Sequence, residues 1–346
     1  MTIDRYTALA LQSRCDAVNQ LSKADARASM LATIERIDRE IDGSLVLTGP
    51  SVKLVVLPEY FLTAYPMGET IENWADKAAI EPGGPEYEAL STVAQKYKIH
   101  LCGNAYETDK NFPGYYFQVS FIIDPSGELI LRYRRLLSMF APTPHDVWDK
   151  YLDLYGIDAV FPVADTELGK LACIASEEVL FPEITRAFGL RGAEVILQPT
   201  SEVASPDLTP KEIARRARAQ ENLVYVVAAN TAGIYGERIP AHSVDGMSTI
   251  VDYKGRVLVK ASTGETMNAH AEIDLAALRA YRAKPGMPNY HVRQRLELFA
   301  STYGETSVYA ANSLLDAEGE PIKPERAHFI DMQRATIEKL AKKGLI

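Results

Sequence analysis

The feature that constrains this chain most is a run of consecutive apolar residues closed by a proline. Lys53-Leu54-Val55-Val56-Leu57-Pro58-Glu59 places four apolar side chains in succession. A strand alternates its side chains between two faces, so an unbroken apolar run predicts a strand covered on both sides. Pro58 has no N–H to give the ladder and ends it. Glu59 is then left just past the strand's C-terminal end, the edge where α/β folds bind ligands. Glu194-Val195-Ile196-Leu197-Gln198-Pro199-Thr200 repeats the form, and Leu223 to Asn230 is a further apolar strand. Gly169 to Glu183 reads as a strand, a polar elbow and a helix opening on Phe181-Pro182-Glu183, with proline where its missing N–H costs nothing. Ser176 lies in that elbow. A side chain there points out of the sheet beside free backbone N–H groups, a good position for a nucleophile.

The segments between these strands follow other periods. Tyr6 to Gln12 reads as a buried strand. Residues 24–42 carry Met30, Leu31, Ile34, Ile37 and Ile41 at helical spacing. A loop rich in Tyr, Pro and Gly spans 60–85, and 86–97 reads as a helix. Strands are expected at 99–106, 116–123 and 129–134, the last two joined by the turn Asp124-Pro125-Ser126-Gly127 into a hairpin. Residues 145–156 suggest a short helix with Trp148, Tyr151, Leu152 and Tyr155 on one face. Phe181 to Gly192 and Thr209 to Asn222 are helices, the second with Thr209 as a cap. Residues 246–258 read as strand, turn, strand. A last strand at 270–274 and a helix at 275–282 follow. The mixture of βα units and hairpins predicts a layered α/β sandwich. From Ala283 the composition shifts to Pro, Asn, Tyr and charge until a final helix near 324–343. The chain therefore divides into a domain at 1–285 and a tail at 286–346, packed on the domain or on a partner subunit.

Bulk properties exclude several function classes. The 346 residues carry a net charge of −9, against a nucleic-acid partner, which calls for a basic face. The cysteines, Cys15, Cys102 and Cys173, are widely spaced and odd in number. They form neither a disulfide framework nor a metal cluster, and a reducing cytoplasm is the expected compartment. No metal-ligand spacing and no phosphate-binding glycine loop appears, so neither metal nor cofactor is expected. The N-terminus lacks the apolar core of a signal peptide, and no run of about 18 apolar residues predicts a membrane span.

Five motifs in order resemble the nitrilase superfamily of carbon–nitrogen hydrolases over roughly residues 5–285. They are Leu57-Pro58-Glu59, Tyr133-Arg134-Arg135, the elbow running into Phe181-Pro182-Glu183, Arg218-Ala219-Gln220-Glu221-Asn222, and Gly246-x-Ser248-x-Ile250-Val251-Asp252 with Gly255. The resemblance implies a four-layer αββα sandwich that pairs across helices into an eight-layer dimer. It also implies a Glu–Lys–Cys site acting on a small amide, nitrile or carbamoyl compound. Glu59 matches the Glu. Arg135 stands at the Lys position, and Ser176, five residues before Phe181, at the Cys position.

Those two departures fall on the chemistry itself. A serine hydroxyl is a far weaker acid than a thiol and needs a strong base within hydrogen-bond reach. Arg cannot give up a proton, and its fork is able to grip Glu59 in a two-pronged pair that weakens it as a base. Arg135 can still supply charge to an oxyanion. Three readings follow. The chain is an enzyme using Glu59, Arg135 and Ser176, or a pseudoenzyme that binds a ligand or partner subunit, or the Cys→Ser trapped form of a thiol hydrolase. Cys173 lies three residues before Ser176 on the opposite face of the strand, as a buried apolar residue. Tyr60, Asp146, Trp148 and Glu178 are expected to bind substrate. Each also has a structural alternative: the aromatics as core, Asp146 as a helix cap, Glu178 as an organiser of the elbow. Loops 60–85 and 136–160 are expected to set the substrate.

Overall fold

A computed structural model describes residues 3–346. Arg5–Ala10 forms β1. Ser22 then accepts the Asp25 N–H and starts α1 (Lys23–Thr48), whose Met30, Ile34, Ile37 and Ile41 are the expected buried stripe. The helix runs past residue 42 to Gly49, which takes a positive φ of 83°. β2 (Val52–Val56) follows. The 60–85 segment is not loop throughout, because Thr70 caps a short helix, α2 (Ile71–Lys77). Two turns are too short to show a period in the sequence. Next come α3 (Pro85–Tyr97), β3 (His100–Thr108), β4 (Tyr116–Ile123) and β5 (Leu129–Arg134). The β4–β5 turn is pinned by Asp124, whose Oδ1 accepts the N–H of Ser126 (2.8 Å) and of Glu128 (2.9 Å).

Residues 145–156 divide into a 3-10 turn, Pro144–Val147, and α4 (Trp148–Tyr155), in which Tyr151 alone is buried. The second half contains β6 (Ala164–Thr166), β7 (Gly169–Cys173), α5 (Pro182–Leu190), β8 (Val195–Thr200), α6 (Pro210–Asn222) and β9 (Tyr225–Asn230). It closes with β10 (Thr249–Val251), β11 (Val257–Lys260), β12 (His270–Asp274) and α7 (Leu275–Ala283).

The strands make two six-stranded sheets, in the orders β12-β1-β2-β3-β4-β5 and β11-β10-β9-β8-β7-β6. Each sheet has a parallel centre, β1-β2-β3 in one and β7-β8-β9 in the other, flanked by antiparallel strands. Parallel strands need cover on both faces, which is why the central strands read as unbroken apolar runs. The sheets stack face to face, and Cys102 of β3 meets Cys173 of β7 across the interface at 3.8 Å. With α1, α2 and α3 on one outer side and α5 and α6 on the other, the result is the four-layer αββα sandwich.

The tail adds α8 (Glu297–Glu305), which the sequence reading missed, and α9 (Arg326–Lys342). Leu314 and Phe329 of the tail are buried, and Tyr115 donates to the Ile322 carbonyl at 2.6 Å. Among the described residues no helix is long and apolar enough to cross a membrane.

Candidate active site

The C-terminal ends of the central strands of both sheets meet at one cavity of about 630 Å³. Glu59 arrives from β2, Ser176 from β7 and Arg135 from the end of β5, and all three line it. The backbone N–H of Glu59 reaches the Thr200 carbonyl of β8 at 3.3 Å, tying the two sheets together at this rim.

Ser176 sits at φ 45°, in the left-handed region that a non-glycine residue enters at a cost of roughly 1–2 kcal/mol. Its neighbours hold it there. The Gln198 amide donates to the Ser176 carbonyl at 2.9 Å, and Arg215 fixes that amide by donating to Gln198 Oε1 at 2.8 Å. A strained turn at the end of a strand presents its hydroxyl outward, as in a nucleophile elbow. The elbow continues as a 3-10 turn, Ser176–Leu180, and α5 begins only at Pro182.

Glu59 is buried among donors. Oε1 accepts from Gln118 Nε2 (2.7 Å) and Arg135 Nη1 (3.4 Å), and Oε2 accepts from the Ser201 hydroxyl (2.6 Å). The expected two-pronged Arg135–Glu59 grip does not form. Arg135 divides its fork among Gln118 Oε1 (2.8 Å), the Leu137 carbonyl (2.6 Å), Glu177 and a single long contact to Glu59. The guanidinium is shared rather than aligned with one carboxylate.

The partner of Ser176 is a residue that the sequence did not mark. Lys211 extends from the first turn of α6 and donates to Ser176 Oγ at 2.8 Å and to the Ser201 carbonyl at 3.0 Å. Thr200 Oγ1 lies at 3.4 Å from the same hydroxyl. Burial pushes the Lys211 ammonium below the ordinary lysine range, against the pull of Glu59, Glu202 and Glu177.

A carbon–nitrogen hydrolase model matches residues 17–283. The chain belongs to the carbon–nitrogen hydrolase family. Among curated relatives, this carbon–nitrogen hydrolase is 29% identical to a hydrolase of Schizosaccharomyces pombe over 70% of its own length and 71% of the relative's. It is 27% identical to the omega-amidase NIT2 of Mus musculus, over 66% of its own length and 79% of the relative's. Saccharomyces cerevisiae Nit3, a solved member of the nitrilase superfamily, superposes with TM-score 0.63 at 22% identity, covering 81% of this chain and 94% of that one. A carbon–nitrogen hydrolase of Helicobacter pylori gives TM-score 0.64 at 21% identity, covering 86% and 98%.

The remaining expected residues separate. Tyr60 lines the cavity of the hydrolase, hydrogen-bonded to Ser201. Burial and Glu59 push its phenol well above the usual range, so it stays protonated. Asp146 and Trp148 line a different cavity, of about 680 Å³, that meets the first at Ser138, Met139 and Glu177. Asp146 is not free to bind substrate: it accepts from Thr143 N (2.9 Å), Thr143 Oγ1 (2.8 Å) and Ser313 Oγ (2.9 Å), and so serves as a cap. Glu178 lines neither cavity. Its oxygens accept from Ala175 N (2.9 Å), Leu136 N (2.7 Å), Leu137 N (3.3 Å) and Tyr133 OH (2.9 Å). It ties the elbow to the segment after β5, outside both cavities. Burial raises its carboxyl above the usual range, with Arg135 and the backbone donors pulling the other way.

Besides Lys211, the sequence reading missed Gln118, Gln198 and Ser201. Of these, Gln198 alone carried a signal: it sits in the apolar run before Pro199, where an inward-facing amide needs a reason.

Proposed function

We propose that this family member hydrolyses a C–N bond of a small amide, nitrile or carbamoyl compound, with Ser176 as its nucleophile. The observation that carries the reading is the left-handed Ser176 elbow, opened into a cavity walled by Glu59 and Arg135. For an amide, Ser176 Oγ attacks the carbonyl carbon, the amine leaves, and water hydrolyses the resulting ester. Arg135 supplies positive charge near the developing oxyanion, the part the resemblance gives to Lys. Glu59, held by Gln118, Ser201 and Arg135, accepts from the substrate nitrogen and positions it. Omega-amidases among the relatives favour an amide, beside one relative named a probable nitrilase.

The pseudoenzyme reading keeps one observation in its favour. Glu59, the base the resemblance implies, bonds Gln118, Ser201 and Arg135, while Ser176 bonds Lys211 and Thr200. Ammonia release from a panel of small amides, nitriles and ureido compounds decides between the two. Turnover that Ser176→Ala abolishes supports the serine enzyme. Turnover seen only in Ser176→Cys combined with Arg135→Lys supports a lost activity, and turnover restored by Ser176→Cys alone supports a replaced thiol. The protein is proposed to act as a homodimer or higher homo-oligomer, given Leu180, Phe181, Leu190 and Ile213 exposed on and beside α5 and α6, with sedimentation equilibrium as the check. Its three buried free thiols fit a reducing compartment such as the cytoplasm.

A further inference from the structure

We propose that Lys211 is the general base for Ser176, so that this hydrolase works through a Ser176–Lys211 dyad. The inference rests on Ser176 being the nucleophile and adds the group that takes its proton.

Geometry favours Lys211 over the other groups in the cavity. Lys211 Nζ is 2.8 Å from Ser176 Oγ, within the reach a base needs. Glu59 makes no hydrogen bond to the hydroxyl; its Oε1 accepts from Gln118 and Arg135, and its Oε2 from Ser201 alone, which leaves a lone pair of Oε2 for the substrate nitrogen. Arg135 cannot accept a proton at any ordinary pH. Thr200, at 3.4 Å, is no stronger a base than serine itself. The Ser201 carbonyl accepts one Lys211 N–H at 3.0 Å, which fixes the rotation of the amine. In the neutral amine the lone pair is then free to accept the Ser176 O–H, reversing the direction of that bond.

The surroundings also favour the neutral form. Thr209 caps α6 and Pro210 is its first residue, so Lys211 stands in the opening turn. A cation there opposes the helix dipole. Carboxylates normally occupy such positions, so a lysine here breaks the local rule. Burial works in the same direction, as does the Arg135 charge, while Glu59, Glu202 and Glu177 oppose them. These groups lie at the ends of β2 and β5, just past β8, and on the elbow.

The cycle balances on an amide. The Ser176 O–H proton passes to the Lys211 lone pair as Oγ bonds the carbonyl carbon and the carbonyl π pair moves to oxygen. The carbonyl re-forms, the C–N bond breaks, and the Lys211 proton goes to the leaving nitrogen. Water then attacks the ester carbon and gives a proton to Lys211. That proton returns to Ser176 Oγ as the ester C–O bond breaks, releasing the acid. Neutral Lys211 is present above its folded-state pKa and is lost as pH falls through it. The rate of Ser176 therefore rises with pH, along a limb below the ordinary lysine range.

A fluorophosphonate, which phosphonylates activated serines irrespective of natural substrate, tests the dyad on the whole protein. The adduct is followed by intact mass from pH 6 to 10, with Ser176→Ala as the blank. The dyad requires labelling at Ser176 that climbs with pH, and a loss of about 100-fold or more in both Lys211→Met and Lys211→Arg. Arginine keeps the charge and removes the base. Labelling of Lys211→Arg within a few-fold of the natural chain overturns the proposal, and so does a natural chain that labels no faster than the blank. If Lys211→Met fails to fold by circular dichroism, Lys211→Ala with added primary amines replaces it. Rescue that grows with amine basicity supports the dyad, and no rescue overturns it. Lys211-dependent labelling without turnover of any amide would sink the C–N hydrolase reading while leaving the dyad standing.

Discussion

Ser176 and Glu178 lie two residues apart and have opposite duties. Ser176 faces a cavity with a hydroxyl bound to Lys211. Glu178 faces the interior and satisfies three backbone N–H groups and the Tyr133 hydroxyl. A buried acceptor cannot be replaced by a donor without leaving those groups unpaired. Glu178→Gln is therefore expected to lower stability by about 2 kcal/mol in urea denaturation, and to reduce Ser176 labelling through a loosened elbow. An intact stability would show that Glu178 does not organise the elbow. Much at this scale was hidden in the sequence. Asp146 and Glu178 look like site carboxylates, and only their hydrogen-bond partners distinguish a cap and a brace from a ligand.

At the scale of elements, the long patterns were legible and the short ones were not. The α1 stripe, the β4–β5 hairpin and the apolar central strands follow from periodicity, because burial on one or two faces imposes it directly. α2 and α8 span 7 and 9 residues and lack a stripe that composition could reveal. The start of α6 matters most for chemistry. Thr209 Oγ1 accepts the Glu212 N–H at 3.2 Å and fixes the turn that carries Lys211. Thr209→Ala is expected to cost about 1 kcal/mol of stability, and to slow Ser176 labelling by more than that loss explains. Equal labelling in the two proteins would mean that the cap does not position the lysine.

For the molecule as a whole, the tail reaches the site. Arg326, the first residue of α9, lines the Ser176 cavity and its guanidinium lies 4.5 Å from the Phe140 ring. Gln333 reaches the Met139 carbonyl at 3.1 Å, so the same helix touches the loop between the two cavities. Phe329 anchors it in the core. Phe329→Ala is expected to remove about 3 kcal/mol of docking energy. Amide exchange in α9 should then accelerate by roughly 100-fold while the two sheets keep their protection. Global loss of protection would instead mean that tail and sandwich unfold as one unit.

The sequence by itself determined the sandwich and the strand ends that carry Glu59 and Ser176, because buried central strands must be apolar and must stop where the site begins, while the meeting of those two with Arg135 followed from the family resemblance. Tertiary structure alone decided which amine reaches the serine. Lys211 lies 35 residues beyond Ser176 on a helix outside the sheets, and no local pattern records a contact made across that separation. Spacing along a chain registers which face a residue occupies, whereas a proton moves only between atoms that folding has brought within about 3 Å.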